Sequence, residues 1–144
     1  MATTFDLDRF MAAQEGVHKR AIAELRAGAK QSHWIWFIFP QMQGLGSSPT
    51  ARKFAIRSKD EAIAYIRHAV LGPRLKEAVQ AMLDIKGKSA LEILGSPDDL
   101  KFRSSMTLFA AVCGAGSIFH QALDRFYDGA ADERTLALID VAVV

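Results

Sequence analysis

The chain has one cysteine in 144 residues, Cys113. No intramolecular disulfide can close, so a packed core must hold the fold together. That usage suits a reducing cytosol, and a cytoplasmic location is the expectation. Cys113 itself follows the apolar run Leu108-Phe109-Ala110-Ala111-Val112 and is expected to be a small buried hydrophobe. Net charge is also scarce, since 18 Lys and Arg against 16 Asp and Glu leave +2. The basic residues fall in scattered pairs, Lys19-Arg20, Arg52-Lys53 and Lys86 with Lys88, rather than along a stripe. Binding to a nucleic-acid backbone is disfavoured on that ground. No apolar run approaches the roughly 20 residues that span a bilayer, and Asp6, Asp8 and Arg9 stand where an export signal needs an apolar stretch. The four histidines, His18, His33, His68 and His120, are far apart, and no HExxH, CxxC or paired-histidine spacing occurs. Neither a metal nor a cofactor is therefore expected.

What the chain has in concentration is aromatic surface. Both tryptophans and two of the nine phenylalanines fall between Trp34 and Phe39, and each buried aromatic contributes on the order of 2–3 kcal/mol. The other helices are expected to pack on this segment. Trp34-Ile35-Trp36-Phe37-Ile38-Phe39 lacks alternation and no other stretch offers it a strand partner, so it reads as a short buried helix. Pro40 ends it by disfavouring helix at the preceding residue. Gln41 to Ser48 is a loop with two glycines.

The remainder is helical. Residues 1–4 are expected to fray, and Asp6 to cap a first helix with Leu7, Phe10 and Met11 inward. Val17 to Ala27 follows, with Ile22 and Leu25 inward and His18, Lys19, Glu24 and Arg26 outward. Ser48 ahead of Pro49 starts a short helix. Ser58 with Glu61, and Ser89 with Glu92, have capping-box spacing. Gly72-Pro73 is read as a break before a helix from Arg74 to Ile85. Ser96 is expected to cap a helix with Pro97 at its first position; that helix is apolar on most sides after Ser105, which makes it the central core helix. Ser117 opens another, and Glu133 to Ala142 forms the last. With no repeat period and no long linker, residues 1–144 form one all-α domain of eight to ten helices, several of them short. Irregular, orthogonal packing is expected rather than a bundle.

Two stretches carry candidate chemistry. In Asp98-Asp99-Leu100-Lys101-Phe102-Arg103-Ser104-Ser105-Met106, the i, i+4 spacing lets Asp99 pair with Arg103, and both acids sit where a helix dipole favours negative charge. Capping and a surface ion pair explain much of this. Yet the polar run directly precedes the most apolar helix, so part of it lies at the core's edge, where charge must be paired or used. The second stretch is the aromatic run, flanked by His33 and Gln41, either of which could face a pocket lined by Trp34 or Trp36. A planar ligand needs such an aromatic platform with polar edges. Gln43-Gly44-Leu45-Gly46-Ser47-Ser48 could present amides to an anion, although it lacks the lysine and spacing of a Walker loop.

Together, His33-Trp34-Ile35-Trp36-Phe37-Ile38-Phe39-Pro40-Gln41 and Ser96-Pro97-Asp98-Asp99-Leu100-Lys101-Phe102-Arg103-Ser104-Ser105-Met106-Thr107-Leu108-Phe109 resemble a family of small bacterial proteins of unknown function, sometimes labelled calpastatin. The likeness runs from about Phe5 to Ile139 and includes Ala69-Val70-Leu71-Gly72-Pro73-Arg74-Leu75. It implies an all-helical single domain and no known activity. More loosely, the order of features is similar to that of the NADAR group of N-glycosidases, which act on ADP-ribose-linked or ribosylated bases. That group has an acidic residue in its aromatic motif, where this chain has Ser32-His33. The carboxylate such a hydrolase requires would here be Asp98 or Asp99.

Two functions follow as expectations. In the first, the protein binds a nucleotide-like or ribosylated small molecule and could hydrolyse an N-glycosidic bond. His33, Trp34 and Gln41 then contact the base, Lys101 and Arg103 the anionic groups, Ser104 is a further ligand-binding residue, and Asp99 acts as base or orienting acid, with Asp98 as a second catalytic candidate. In the second, the chain is a non-enzymatic interaction or structural module whose same residues cap helices and seal the core.

Overall fold

The computed structural model describes residues 5–143, with side chains as far as Ile139; the expected fraying of residues 1–4 lies outside them. Ten helices follow in order: α1 Asp8–Gln14, α2 His18–Arg26, α3 Ile35–Ile38, α4 Pro49–Lys53, α5 Lys59–Arg67, α6 Leu71–Leu83, α7 Ala90–Leu94, α8 Asp98–Cys113, α9 Ile118–Tyr127 and α10 Glu133–Val143. The domain is all-helical, and the described residues include no strand. One isolated parallel bridge joins Met42 to Ile56. It pins the glycine loop to the end of α4, with Ile56 N donating to Gln41 O and Gln43 N to Ile56 O, each at 2.8 Å.

Serine hydroxyls start four of the helices. Ser48, Ser58, Ser89 and Ser117 accept from the amides of Ala51, Glu61, Glu92 and His120, each satisfying a donor that the first turn leaves free. Only Ser89 and Glu92 close the reciprocal box. Glu61 turns inward instead, accepting from Arg57 N at 2.7 Å and pairing with Arg9 at 3.1 Å.

Other starts differ from expectation. α1 begins at Asp8 behind Leu7, without a side-chain cap from Asp6. α8 begins at Asp98 behind Pro97, without a cap from Ser96, and the Ser96–Pro97 peptide is cis. Gly72-Pro73 is not a break but part of the first turn of α6. Proline is tolerated in a first turn, where its missing N–H has no partner to lose. His68 Nδ1 caps that turn, accepting from Val70 N and Leu71 N at 3.1 Å each.

α8 is the hub, packing against α5, α7, α9 and α10, while α6 packs against α2, α5 and α9. Phe102, Ser105, Met106, Leu108 and Phe109 of α8 are fully buried. The aromatic segment is therefore not the platform for every helix; α3 packs against α1 and α8. Two files of rings cross the interior, Phe54–Phe10–Tyr65–Phe109–Phe119 and Trp34–Phe39–Phe102–Phe126. Cys113, expected to be buried, is exposed in the last turn of α8, where the helix has run past the core into Gly114.

Candidate functional site

Glu24 sets the site's geometry. Expected on the outer face of α2, it is 9% exposed and gathers the turn before α3. Its Oε1 accepts from Gln31 N at 2.7 Å, Ser32 N at 3.0 Å and Trp34 Nε1 at 2.9 Å, and its Oε2 from Ser32 Oγ at 2.5 Å. Burial works to raise its pKa. The Ser32 hydroxyl, the two amides and the indole N–H favour the carboxylate more strongly and bring it down to about 2. Trp34 is thereby fixed wholly inside. In the single turn of α3, Ile35 and Ile38 share the inward face, which leaves Trp36 partly exposed.

Trp36 forms one wall of an open cleft of about 600 Å³. Gln41 and Ser47 come from the loop after α3, Leu100, Lys101, Arg103 and Ser104 from the first turns of α8, and Asp132 and Arg134 from the start of α10. A smaller cleft of about 380 Å³ shares Trp36, Pro97 and Lys101 with it and adds Lys30, His33 and Asp98. The Lys101 ammonium stands 4.7 Å from the Trp36 ring centre and 3.5 Å from Asp98 Oδ1. Asp98 Oδ2 is 2.7 Å from Lys30 Nζ.

Of the residues singled out in the sequence, Gln41, Lys101, Arg103 and Ser104 meet in the larger cleft, while His33 and Asp98 line the smaller one. Trp34 lines neither, because Glu24 holds it in the core. Asp99 lines neither, and its expected pair with Arg103 does not form. Arg103 instead donates to the carbonyls of Ala130 at 2.8 Å and Ala131 at 3.0 Å. Asp99 Oδ1 is buried without a partner among the described residues. Tyr127 donates to the Asp99 carbonyl at 2.5 Å, and burial, reinforced by the Asp99 charge, pushes the Tyr127 hydroxyl's pKa well up.

The residues missed in the sequence are Asp132 and Arg134. Asp132 caps α10, its Oδ2 accepting from Thr135 N at 3.0 Å and Thr135 Oγ1 at 2.5 Å, with Ser104 Oγ at 3.4 Å. Its own N–H donates to Thr107 Oγ1 at 2.9 Å. The signal was present: an aspartate three residues before a threonine, ahead of an apolar-periodic run, is a helix start. Among the described residues no helix is long and apolar enough to cross a membrane.

Residues 4–139 match the family model described as "Protein of unknown function (DUF1810)". The structure is similar to the crystal structure of the conserved hypothetical protein Rv1873 from Mycobacterium tuberculosis. The two chains are 50% identical over 94% of this chain and 97% of that one, with a TM-score of 0.92. No curated protein matches the chain. A family model spanning nearly the whole chain, and a relative sharing half its residues on the same backbone, agree that this protein belongs to the DUF1810 family.

Proposed function

We propose that the protein binds a nucleotide-like small molecule, an anion carrying a planar ring, in the cleft beside Trp36. The observation that carries this reading is one cleft that combines an accessible indole with three cations, Lys101, Arg103 and Arg134. An aromatic face gives a planar base a stacking surface, and guanidinium and ammonium groups take phosphate or carboxylate oxygens. The volume of about 600 Å³ suits a ligand of nucleotide size. Trp36 takes the stacking role expected of Trp34, Gln41 reads a base edge, and Ser104 stands with the cations. His33 belongs to the adjoining cleft, within reach of a ligand that extends past Trp36.

Hydrolysis of an N-glycosidic bond would require a carboxylate beside the ribosyl carbon. Asp132 is the carboxylate lining the larger cleft. Asp98 sits next door, held by two ammonium groups, and Asp99 points elsewhere.

Thermal-shift measurements with AMP, ADP and ADP-ribose at millimolar concentration test the reading. Occupancy at ten times Kd should raise Tm by about 5 °C, and Trp36 fluorescence should fall as the base stacks. Arg134→Ala, an exposed change, should weaken binding without altering the melting of the free protein. Chromatography of the same mixtures detects any released base. No shift with any of the three compounds would reject this function and leave the interaction module as the better account.

A further inference from the structure

We infer that Asp132 is the cleft's acceptor for ligand hydroxyl groups, so that the molecule bound there carries a ribose-type vicinal diol beside its anionic group. The inference rests on the nucleotide-like reading above and names the part of the ligand that reading leaves open.

The Asp132 carboxylate is divided in its duties. One oxygen, Oδ2, is clamped by the amide and hydroxyl of Thr135, with the Ser104 hydroxyl alongside. The other, Oδ1, accepts from no group among the described residues, and the residue lines the cleft. Two contacts to Thr135 and the backbone bond to Thr107 fix the carboxylate's orientation, so ordering it costs a ligand little. A single carboxylate oxygen has lone pairs for two donors, which matches two neighbouring hydroxyls.

Charge distribution strengthens the case. Lys101, Arg103 and Arg134 line the same cleft, and none forms an ion pair with Asp132. Lys101 stands between Trp36 and Asp98, and Arg103 is anchored on the carbonyls after α9. The cleft therefore presents positive and negative groups separately. A phosphate is attracted to the first and repelled by Asp132, so the part of the ligand beside Asp132 carries no negative charge and donates hydrogen bonds. A sugar diol meets both conditions.

The test compares AMP with its 2′,3′-dideoxy counterpart by calorimetric titration of the full chain. Wild type should bind AMP about tenfold more tightly. Asp132→Ser retains a good helix cap but removes the open oxygen, and it should bind the two nucleotides alike, at the dideoxy affinity. Asp132→Asn provides a second cap-preserving variant with the carboxylate charge removed, and its preference should fall in the same direction. Equal binding of both nucleotides by wild type, or an undiminished preference in the variants, would overturn the role of Asp132 while leaving the cleft reading intact. Failure of wild type to bind either nucleotide would reject both.

Discussion

The indole nitrogen of Trp34 donates to Glu24 Oε1 at 2.9 Å, inside the protein and between the end of α2 and the start of α3. Because the same oxygen also holds the amides of Gln31 and Ser32, one carboxylate decides which tryptophan is core and which is surface. Glu24→Ala leaves these donors facing apolar neighbours and should cost about 3 kcal/mol. Glu24→Gln keeps an acceptor toward the three N–H groups and can donate to Ser32 Oγ, so it should lose only the contribution of the charge, about 2 kcal/mol. Urea denaturation followed by tryptophan fluorescence separates the two.

The depressed pKa of Glu24 gives stability a direction with pH. Its carboxyl titrates near 4.5 when unconstrained and at about 2 in the fold. Its contribution is therefore complete above pH 4.5 and is lost as pH falls through the folded value, amounting to on the order of 2 kcal/mol. Wild type and Glu24→Gln should differ most above pH 4.5 and converge towards pH 2. A gap that stays constant across that window would show that the charge contributes nothing.

Gly72 in α6 is required for a different reason. A Cβ there would lie 2.1 Å from the carbonyl oxygen of Ile66, which belongs to the backbone of α5 and cannot rotate away. Gly72→Ala must push the two helices apart, and the expected loss is about 3 kcal/mol or roughly 10 °C in Tm. Calorimetry is the direct check.

Cys113 should react with a maleimide at one equivalent per folded chain, since it is exposed. Partial desolvation of the sulfur by its neighbours raises its pKa, and the Lys76 charge opposes this only in part. Labelling near neutral pH should therefore be slower than for a free cysteine peptide and should keep rising at pH values where the peptide's rate has levelled off, because the thiolate is the nucleophile. Labelling as fast as the free peptide at pH 7 would contradict that environment.

Most helices were legible because their signals are local. Serine caps, proline and glycine punctuation and the apolar repeat of α8 lie within a turn or two of what they specify. The partners of Glu24 were not legible. It lies ten residues before Trp34, which a continuous helix would carry about 15 Å away; the two meet because the chain turns at Gly28 and returns. The Asp99–Arg103 spacing permitted an ion pair, but nothing nearby revealed that carbonyls at 130 and 131 would claim the guanidinium first. His68 was hidden likewise, because a histidine seldom caps a helix and its two donors became visible only once Gly72-Pro73 proved to be helical. For the cleft, the polar turn of α8 and Gln41 could be picked out. Asp132 and Arg134 could not be joined to them, because their meeting depends on how α9 returns the chain to α8.

Arg103 braces two lips of one mouth. Its fork reaches across to the link between α9 and α10 while its charge faces the hollow beside Trp36. A lysine at 103, with a single compact ammonium, could not span both carbonyls. The opening's width is therefore set by a planar group of fixed reach, and a substitution that keeps the charge but loses the fork would leave α10 free to drift from the indole it confronts.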